Sequence, residues 1–162
     1  RDIGSGNIGA TNVLRTGNKL AAFLTLFCDG GKGFVAVLFA ELLTEEFTIR
    51  AVCLFVFIGH CFPIWLKFKG GKGVATYIGI VTSINFLFGL VTCVIWLLSA
   101  AILRISSFSA LLSTISGPFI VFFLLDSSFL GMSAMLSCLI FWTHRANIRR
   151  ILNGTESNIN VN

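Results

Sequence analysis

Apolar stretches approaching the ~20 residues that a helix needs to cross ~30 Å of hydrocarbon recur along nearly the whole chain. They lie at about Leu20–Leu43, Arg50–Leu66, Gly73–Ile84, Phe86–Leu103, Ser106–Leu125 and Ser128–Trp142. A lipid-exposed backbone must bond to itself, so runs of this length predict helices. The expected fold is an all-α polytopic transmembrane bundle with about six spans. Only 12% of the residues are charged and 56% are hydrophobic, where an average soluble domain is roughly a quarter charged. The 162 residues leave no room for a separate soluble unit, so residues 1–162 read as one membrane domain.

The stretch Val74–Leu103 is ambiguous, because 30 residues make ~45 Å of helix, long for one span and short for two. Charge decides between the readings. With two short spans around Asn85, ten basic residues share one side: Arg1, Arg15, Lys19, Lys67, Lys69, Lys72, Arg104, Arg145, Arg149 and Arg150. The other side receives Glu45, Glu46 and Asp126, with Arg50 near it. The positive-inside rule makes the basic side cytoplasmic. One long span would divide the basic residues between the faces.

The net charge of +5 is spread over short loops and builds no basic arm, which excludes nucleic acid as a partner. Cys28, Cys53, Cys61, Cys93 and Cys138 all fall in apolar runs without a CxxC pair, and read as small buried hydrophobes. Two distant histidines and no carboxylate cluster predict no metal centre.

Three polar segments meet on the basic side in the two-span reading. The first, Gly4-Ser5-Gly6-Asn7-Ile8-Gly9-Ala10-Thr11-Asn12-Val13-Leu14-Arg15, contains a formal GxGxxG. A dinucleotide fingerprint needs a βαβ unit, and a membrane span follows instead. The glycines still let backbone N–H groups approach an anion, and a helix starting near Gly9 aims its positive end there. In such a helix Asn7, Thr11 and Arg15 share a face and can all donate to an oxyanion. The alternative is a glycine-rich helix contact.

The second segment reads Gly59-His60-Cys61-Phe62-Pro63 and then Phe68-Lys69-Gly70-Gly71-Lys72-Gly73-Val74-Ala75-Thr76. Gly73 stands where a Walker A loop needs Ser or Thr, so this is not one. Lys72 between Gly71 and Gly73 nonetheless combines a mobile cation with exposed backbone donors. His60 is either a base or a packed, hydrogen-bonded histidine, and stays outside the predicted catalytic set. Asp29 and Lys32, one turn apart inside the first long run, form either an internal clamp between helices or a substrate contact.

The third segment, Thr143-His144-Arg145-Ala146-Asn147-Ile148-Arg149-Arg150, follows the last span. His144 and Asn147 lie one helical turn apart and can reach one ligand, while Arg149 and Arg150 suit lipid headgroups. The polar tail after Asn153 is expected to fray.

The runs GSGNIGATNVLR, GHCFPIW with FKGGKGVAT, and HRANIRR closely resemble the three signature motifs of the bacterial acyl-phosphate:glycerol-3-phosphate acyltransferases, in order and over essentially the whole chain. DGGKG resembles an element of that family's second helix. The resemblance implies seven spans with an extracellular N-terminus, so a first span is expected ahead of Arg1. It also implies transfer of a long-chain acyl group from acyl phosphate to the sn-1 hydroxyl of glycerol 3-phosphate, giving lysophosphatidic acid and phosphate, in the bacterial plasma membrane with the site facing the cytoplasm. A soluble enzyme supplying the acyl phosphate is the implied partner.

An activated acyl donor needs positioning and charge stabilisation rather than a metal or an enzyme nucleophile, so no cofactor is expected. Ser5, Arg15, Lys72 and His144 are the expected catalytic residues. Gly6, Asn7, Thr11, Asn12, Gly71, Gly73 and Asn147 are the expected substrate ligands. Ser5, Gly6, Asn7 and Thr11 are assigned to the acyl phosphate, and Arg15, Lys72 and Asn147 to glycerol 3-phosphate. His144 orients or deprotonates the acceptor hydroxyl. The rival reading is a transporter for a phosphorylated or anionic solute. Charge gathered at one face, with little at mid-depth beyond Asp29 and Lys32, fits interfacial catalysis better.

Overall fold

The computed structural model describes residues 8–159, and its helices follow the predicted runs closely. They are α1 (Ala10–Leu14), α2 (Lys19–Leu43), α3 (Glu46–Cys61), α4 (Val74–Ile84), α5 (Phe86–Leu103), α6 (Ser106–Leu124), α7 (Leu130–Thr143) and α8 (Arg145–Leu152). Four helical stretches are long and apolar enough to cross a membrane: α2, Glu46–Leu66, α5 and α6. The helices α4 and α7 are apolar but shorter. With 11 residues, α4 rises ~16 Å, about half a bilayer core.

The break at Asn85 is present. Asn85 is extended, and its side chain accepts from the Phe88 amide at 3.1 Å to cap α5. Beyond it α5 returns along α4, and the bare Cα of Gly89 lies where a Cβ would strike Thr82. The two-span reading therefore gives the right chain direction, although α4 is a half-length helix.

The seam between α2 and α4 is the most extensive helix contact. It is made by small residues, because helices in lipid gain from close approach rather than from hydrophobic exclusion. The Gly30 carbonyl fills the space a Cβ on Gly79 would need, and the Thr76 carbonyl does the same for Gly33. Thr76 Oγ1 donates to the Asp29 carbonyl at 3.0 Å across the same seam.

Large side chains such as Phe55, Phe86, Phe122 and Leu42 face outward, while Thr76, Thr92, Ser109, Ser113, Thr114 and Ser133 are buried. This is the distribution that a lipid solvent selects. Pro118 lies inside α6 and has no N–H for the Thr114 carbonyl. That carbonyl accepts from Ser137 Oγ of α7 at 2.7 Å, so the freed acceptor joins two helices.

At one end of the bundle Arg50 bonds Glu46 (3.3 Å) and the Ser128 carbonyl (3.1 Å). At the other end the three polar segments converge. Thr11 Oγ1 meets Ser106 Oγ at 3.2 Å, Thr143 Oγ1 donates to the Lys72 carbonyl at 3.1 Å, and the Ile159 amide donates to the Arg104 carbonyl at 2.7 Å.

Two expectations are corrected here. Residues 154–159 of the tail do not fray. Gly154, at a φ of 69°, turns the chain back, and the following residues dock on α1, α6 and α8. The first-segment helix begins near Gly9 as expected, with Gly9 its N-cap and Ala10 its first residue, but it ends at Leu14. The expected face of Asn7, Thr11 and Arg15 is therefore not one continuous helix: Asn7 lies outside the described residues and Arg15 is the C-cap.

Candidate active site

A cavity of about 680 Å³ opens where the three segments meet. Its polar part is lined by Thr11, Asn12 and Arg15 from the first segment, Lys72 and Gly73 from the second, and His144, Asn147 and Glu156 from the third. Its apolar part runs between α2, α4 and α5, past Phe23, Leu26, Phe34, Ile78, Trp96 and Leu97. Ser5 and Gly6, like Asn7, lie outside the described residues. Gly71 sits behind the wall, its Cα covered by the His60 ring.

Loop geometry places Lys72. Pro63 ends α3 and a short 3-10 turn, Ile64–Leu66, follows. Lys67 and Phe68 then take left-handed conformations, and the chain folds back so that the Gly70 amide bonds the Cys61 carbonyl at 3.0 Å. A Cβ on Gly70 would strike the His60 and Cys61 carbonyls, and Gly73, at a φ of 86°, lies on the Phe57 ring. These contacts put Lys72 at the start of α4 facing inward. Among the described residues its ammonium has no hydrogen-bond or ion-pair partner. Burial lowers its pKa to about 8, Glu156 opposes that shift, and Arg150 and Arg15 add to it. A half-buried cation without a partner among the described residues is the group a substrate anion would relieve.

His144 joins α7 to α8 and is 2% exposed. Its Nδ1 lies 2.8 Å from the Ile140 carbonyl. A carbonyl only accepts, so Nδ1 carries the proton and Nε2 keeps a lone pair. Burial depresses the pKa to about 4 against the opposing Ile140 hydrogen bond, with Lys72 adding to the depression. The ring is neutral at physiological pH, a good acceptor for a hydroxyl and a weak proton acceptor.

Asn147 is 2% exposed and one turn on. Its Nδ2 donates to Glu156 Oε1 at 2.6 Å, which fixes the amide orientation and leaves Oδ1 buried without a partner among the described residues. A buried orphan acceptor invites a donor such as a hydroxyl.

Glu156 was missed from the sequence. Besides Asn147, it accepts from Ser107 Oγ at 2.7 Å and Arg150 Nε at 2.6 Å. Burial raises its pKa, but the three donors outweigh that effect and hold it below the usual range. Arg150 is thus committed to Glu156 rather than to headgroups. Arg15 is tied to the same tail, its guanidinium donating to Ser157 Oγ at 2.6 Å. The sequence signal was a lone acid two residues after Gly154, beside a strongly basic helix.

Glu156→Ala should leave the half-exposed Arg150 and the buried Asn147 without their partner, at a cost of about 1–2 kcal/mol. The expected result is a lower unfolding temperature in detergent and rapid proteolysis of the tail; an unchanged melting curve would count against the docked arrangement.

Asp29 and His60 also line the cavity. Lys32 Nζ bonds Asp29 Oδ1 at 2.7 Å and also meets His60 Nδ1. The anticipated ion pair therefore exists within α2, and the contact of its lysine with His60 joins α2 to α3.

The structure defines a polytopic membrane protein whose cavity matches an amphiphile with an anionic head. The family model for glycerol-3-phosphate acyltransferase matches residues 1–154. A glycerol-3-phosphate acyltransferase of Roseobacter denitrificans is 53% identical over 98% of this chain and 80% of its own length. One from a Jannaschia species is 50% identical over 98% of this chain and 78% of its own. Two crystal structures of PlsY, an integral membrane glycerol 3-phosphate acyltransferase, also superpose. Its glycerol 3-phosphate form gives a TM-score of 0.93 at 35% identity, covering 98% of this chain and 80% of that one. Its lysophosphatidic acid form gives 0.91 at 34%, covering 97% and 82%. The chain belongs to the glycerol-3-phosphate acyltransferase family and is an integral membrane enzyme.

Proposed function

We propose that this enzyme transfers a long-chain acyl group from an acyl phosphate to the sn-1 hydroxyl of glycerol 3-phosphate. The observation that carries the reading is one cavity joining Lys72, unpaired among the described residues, to an apolar slot between α2, α4 and α5. Arg15 and Lys72 hold the phosphate of the acceptor, and Asn147 Oδ1 receives one of its hydroxyl donors. Thr11 and Asn12, with Ser5, Gly6 and Asn7, receive the acyl phosphate, whose tail lies along Phe23, Ile78 and Trp96.

In the transfer, the hydroxyl oxygen attacks the acyl carbonyl carbon and the C–O bond to phosphate breaks, with phosphate leaving on its electron pair. His144 Nε2 accepts a hydrogen bond from the attacking hydroxyl and orients it. With a pKa of about 4, the imidazole is a weaker base than the departing inorganic phosphate. The proton therefore ends on phosphate. Catalysis rests on positioning and charge stabilisation.

The site end carries Arg15, Lys19, Lys67, Lys69, Lys72, Arg104, Arg145, Arg149 and Arg150. This supports a cytoplasmic site in a bacterial plasma membrane, where a soluble enzyme delivers the acyl phosphate. The test is conversion of radiolabelled glycerol 3-phosphate to lysophosphatidic acid by reconstituted enzyme, with palmitoyl phosphate, acyl-CoA or acyl carrier protein as donor. Product from the acyl phosphate alone supports the proposal. Product from a thioester alone refutes the donor assignment, and solute uptake without product would favour a transporter.

The Lys72 pKa sets a pH dependence. Below pH 8 the free enzyme already carries the ammonium, and KM for glycerol 3-phosphate should be flat. Above pH 8 binding must first take up a proton, so KM should rise by up to ~10-fold per pH unit until the pKa of the complex is reached. A KM that is constant from pH 7 to about pH 9.5 would remove Lys72 from phosphate binding.

A further inference from the structure

The chain's two histidines, His60 and His144, face one cavity from different helices. His144 Nδ1 donates to a carbonyl, which leaves Nε2 bare. At His60 the neighbour of Nδ1 is the Lys32 ammonium, which has only protons to offer. That ammonium also bonds Asp29 Oδ1 at 2.7 Å. His60 Nδ1 must therefore accept, and the ring proton sits on Nε2. Asp29 Oδ1 lies farther from Nδ1, at 3.4 Å, than from Lys32.

The Nε2 end of the ring occupies the space a Cβ on residue 71 would fill, so it abuts the loop that carries Lys72. The His60 side chain is 6% exposed, and among the described residues Nε2 has no acceptor. An N–H at the edge of a cavity with no protein acceptor is left to water or to a ligand. Ring position is fixed from behind as well: the Gly71 amide bonds the His60 carbonyl at 3.3 Å.

From this geometry we infer that the two histidines are held in opposite tautomers, and that His60 presents Nε2–H as a donor to a phosphate oxygen of the substrate beside Lys72. Lys32 and Asp29 are positioning residues that hold that tautomer. The inference rests on the acyl phosphate reading for the identity of the oxygen, though the tautomers themselves do not. His60 then donates where charge gathers, while His144 accepts from the nucleophile, a division of labour between two chemically identical side chains.

The experiment has two arms. In isotope-labelled histidine spectra of detergent-solubilised enzyme without substrate, His60→Gln identifies the His144 signals and the remainder belongs to His60. The expected pattern is a proton on Nε2 of His60 and on Nδ1 of His144; a proton on His60 Nδ1 would overturn the inference whatever the enzyme's substrate is. In the second arm, the parent enzyme's product from palmitoyl phosphate tests the functional reading by itself.

His60→Gln, whose amide can reach the Nε2 position, is then compared with His60→Asn, whose amide reaches only Nδ1. The Asn variant should raise KM for one substrate by about tenfold or more, and the Gln variant should stay within about threefold of the parent. A rise for glycerol 3-phosphate places the donor on the acceptor's phosphate; a rise for palmitoyl phosphate places it on the donor's. Equal losses in both variants, or a fall in kcat with both KM values unchanged, would mean a purely structural histidine.

Discussion

Lys72→Met should lower kcat/KM for acyl transfer by about two to three orders of magnitude, equivalent to ~3–4 kcal/mol, while leaving the protein folded. The methionine keeps the length and apolar stem of the lysine and removes only the charge. In the substrate-free protein that charge has no ion-pair partner among the described residues and is depressed by burial to about 8. Removing it should therefore be neutral or stabilising for the fold. The loss appears when a phosphate enters and finds Arg15 alone. Lys72→Arg should recover little, because the guanidinium is larger and the residue is confined between Gly71 and Gly73, which are themselves pressed on His60 and Phe57. Activity and unfolding temperature measured on the same preparations check the prediction. A variant retaining more than about a tenth of parental kcat/KM would show that Lys72 contributes less than one charge-assisted hydrogen bond.

The second large effect is on stability. Gly79→Val places side-chain atoms where the Gly30 carbonyl stands, so α2 and α4 must separate along the most extensive seam of the bundle. Overpacking on this scale costs about 3 kcal/mol or more, and the Asp29 carbonyl's bond to Thr76 would stretch with it. The expected result is little or no monodisperse protein in detergent. Gly31→Ala is the matched control: it lies on the same stretch of α2, and a Cβ there meets nothing within 4 Å. Helix propensity favours that alanine by about 1 kcal/mol, so Gly31→Ala should melt no lower than the parent. Equal behaviour of the two variants would refute the close approach of α2 and α4.

Much of this was legible in the chain because lipid makes strict demands. The spans follow from the length of the apolar runs, and the break at Asn85 follows from a polar residue that can cap the next helix. The asymmetry of Lys and Arg grouped the first segment, the Lys67–Gly73 loop, Arg104 and the tail at one end, as found. Lys72, Arg15, Thr11, Asn12, Gly73, His144 and Asn147, all singled out by residue type and spacing, line one cavity.

What stayed hidden depends on contacts between residues far apart in sequence. The tail after Asn153 is polar and short, and composition alone makes such a segment fray. Its order comes from Glu156, whose carboxylate collects Ser107, Asn147 and Arg150, partners 49, 9 and 6 residues away. The tautomer of each histidine was equally unreadable, since it depends on whether a carbonyl or an ammonium stands beside Nδ1. Periodicity and charge placement are local properties, and they determined that this chain is a membrane bundle with a cationic, glycine-rich face. Protonation states, the pairing of a buried acid and the approach of two glycine helices arise from what each group meets in place of water, and only the tertiary structure decided those.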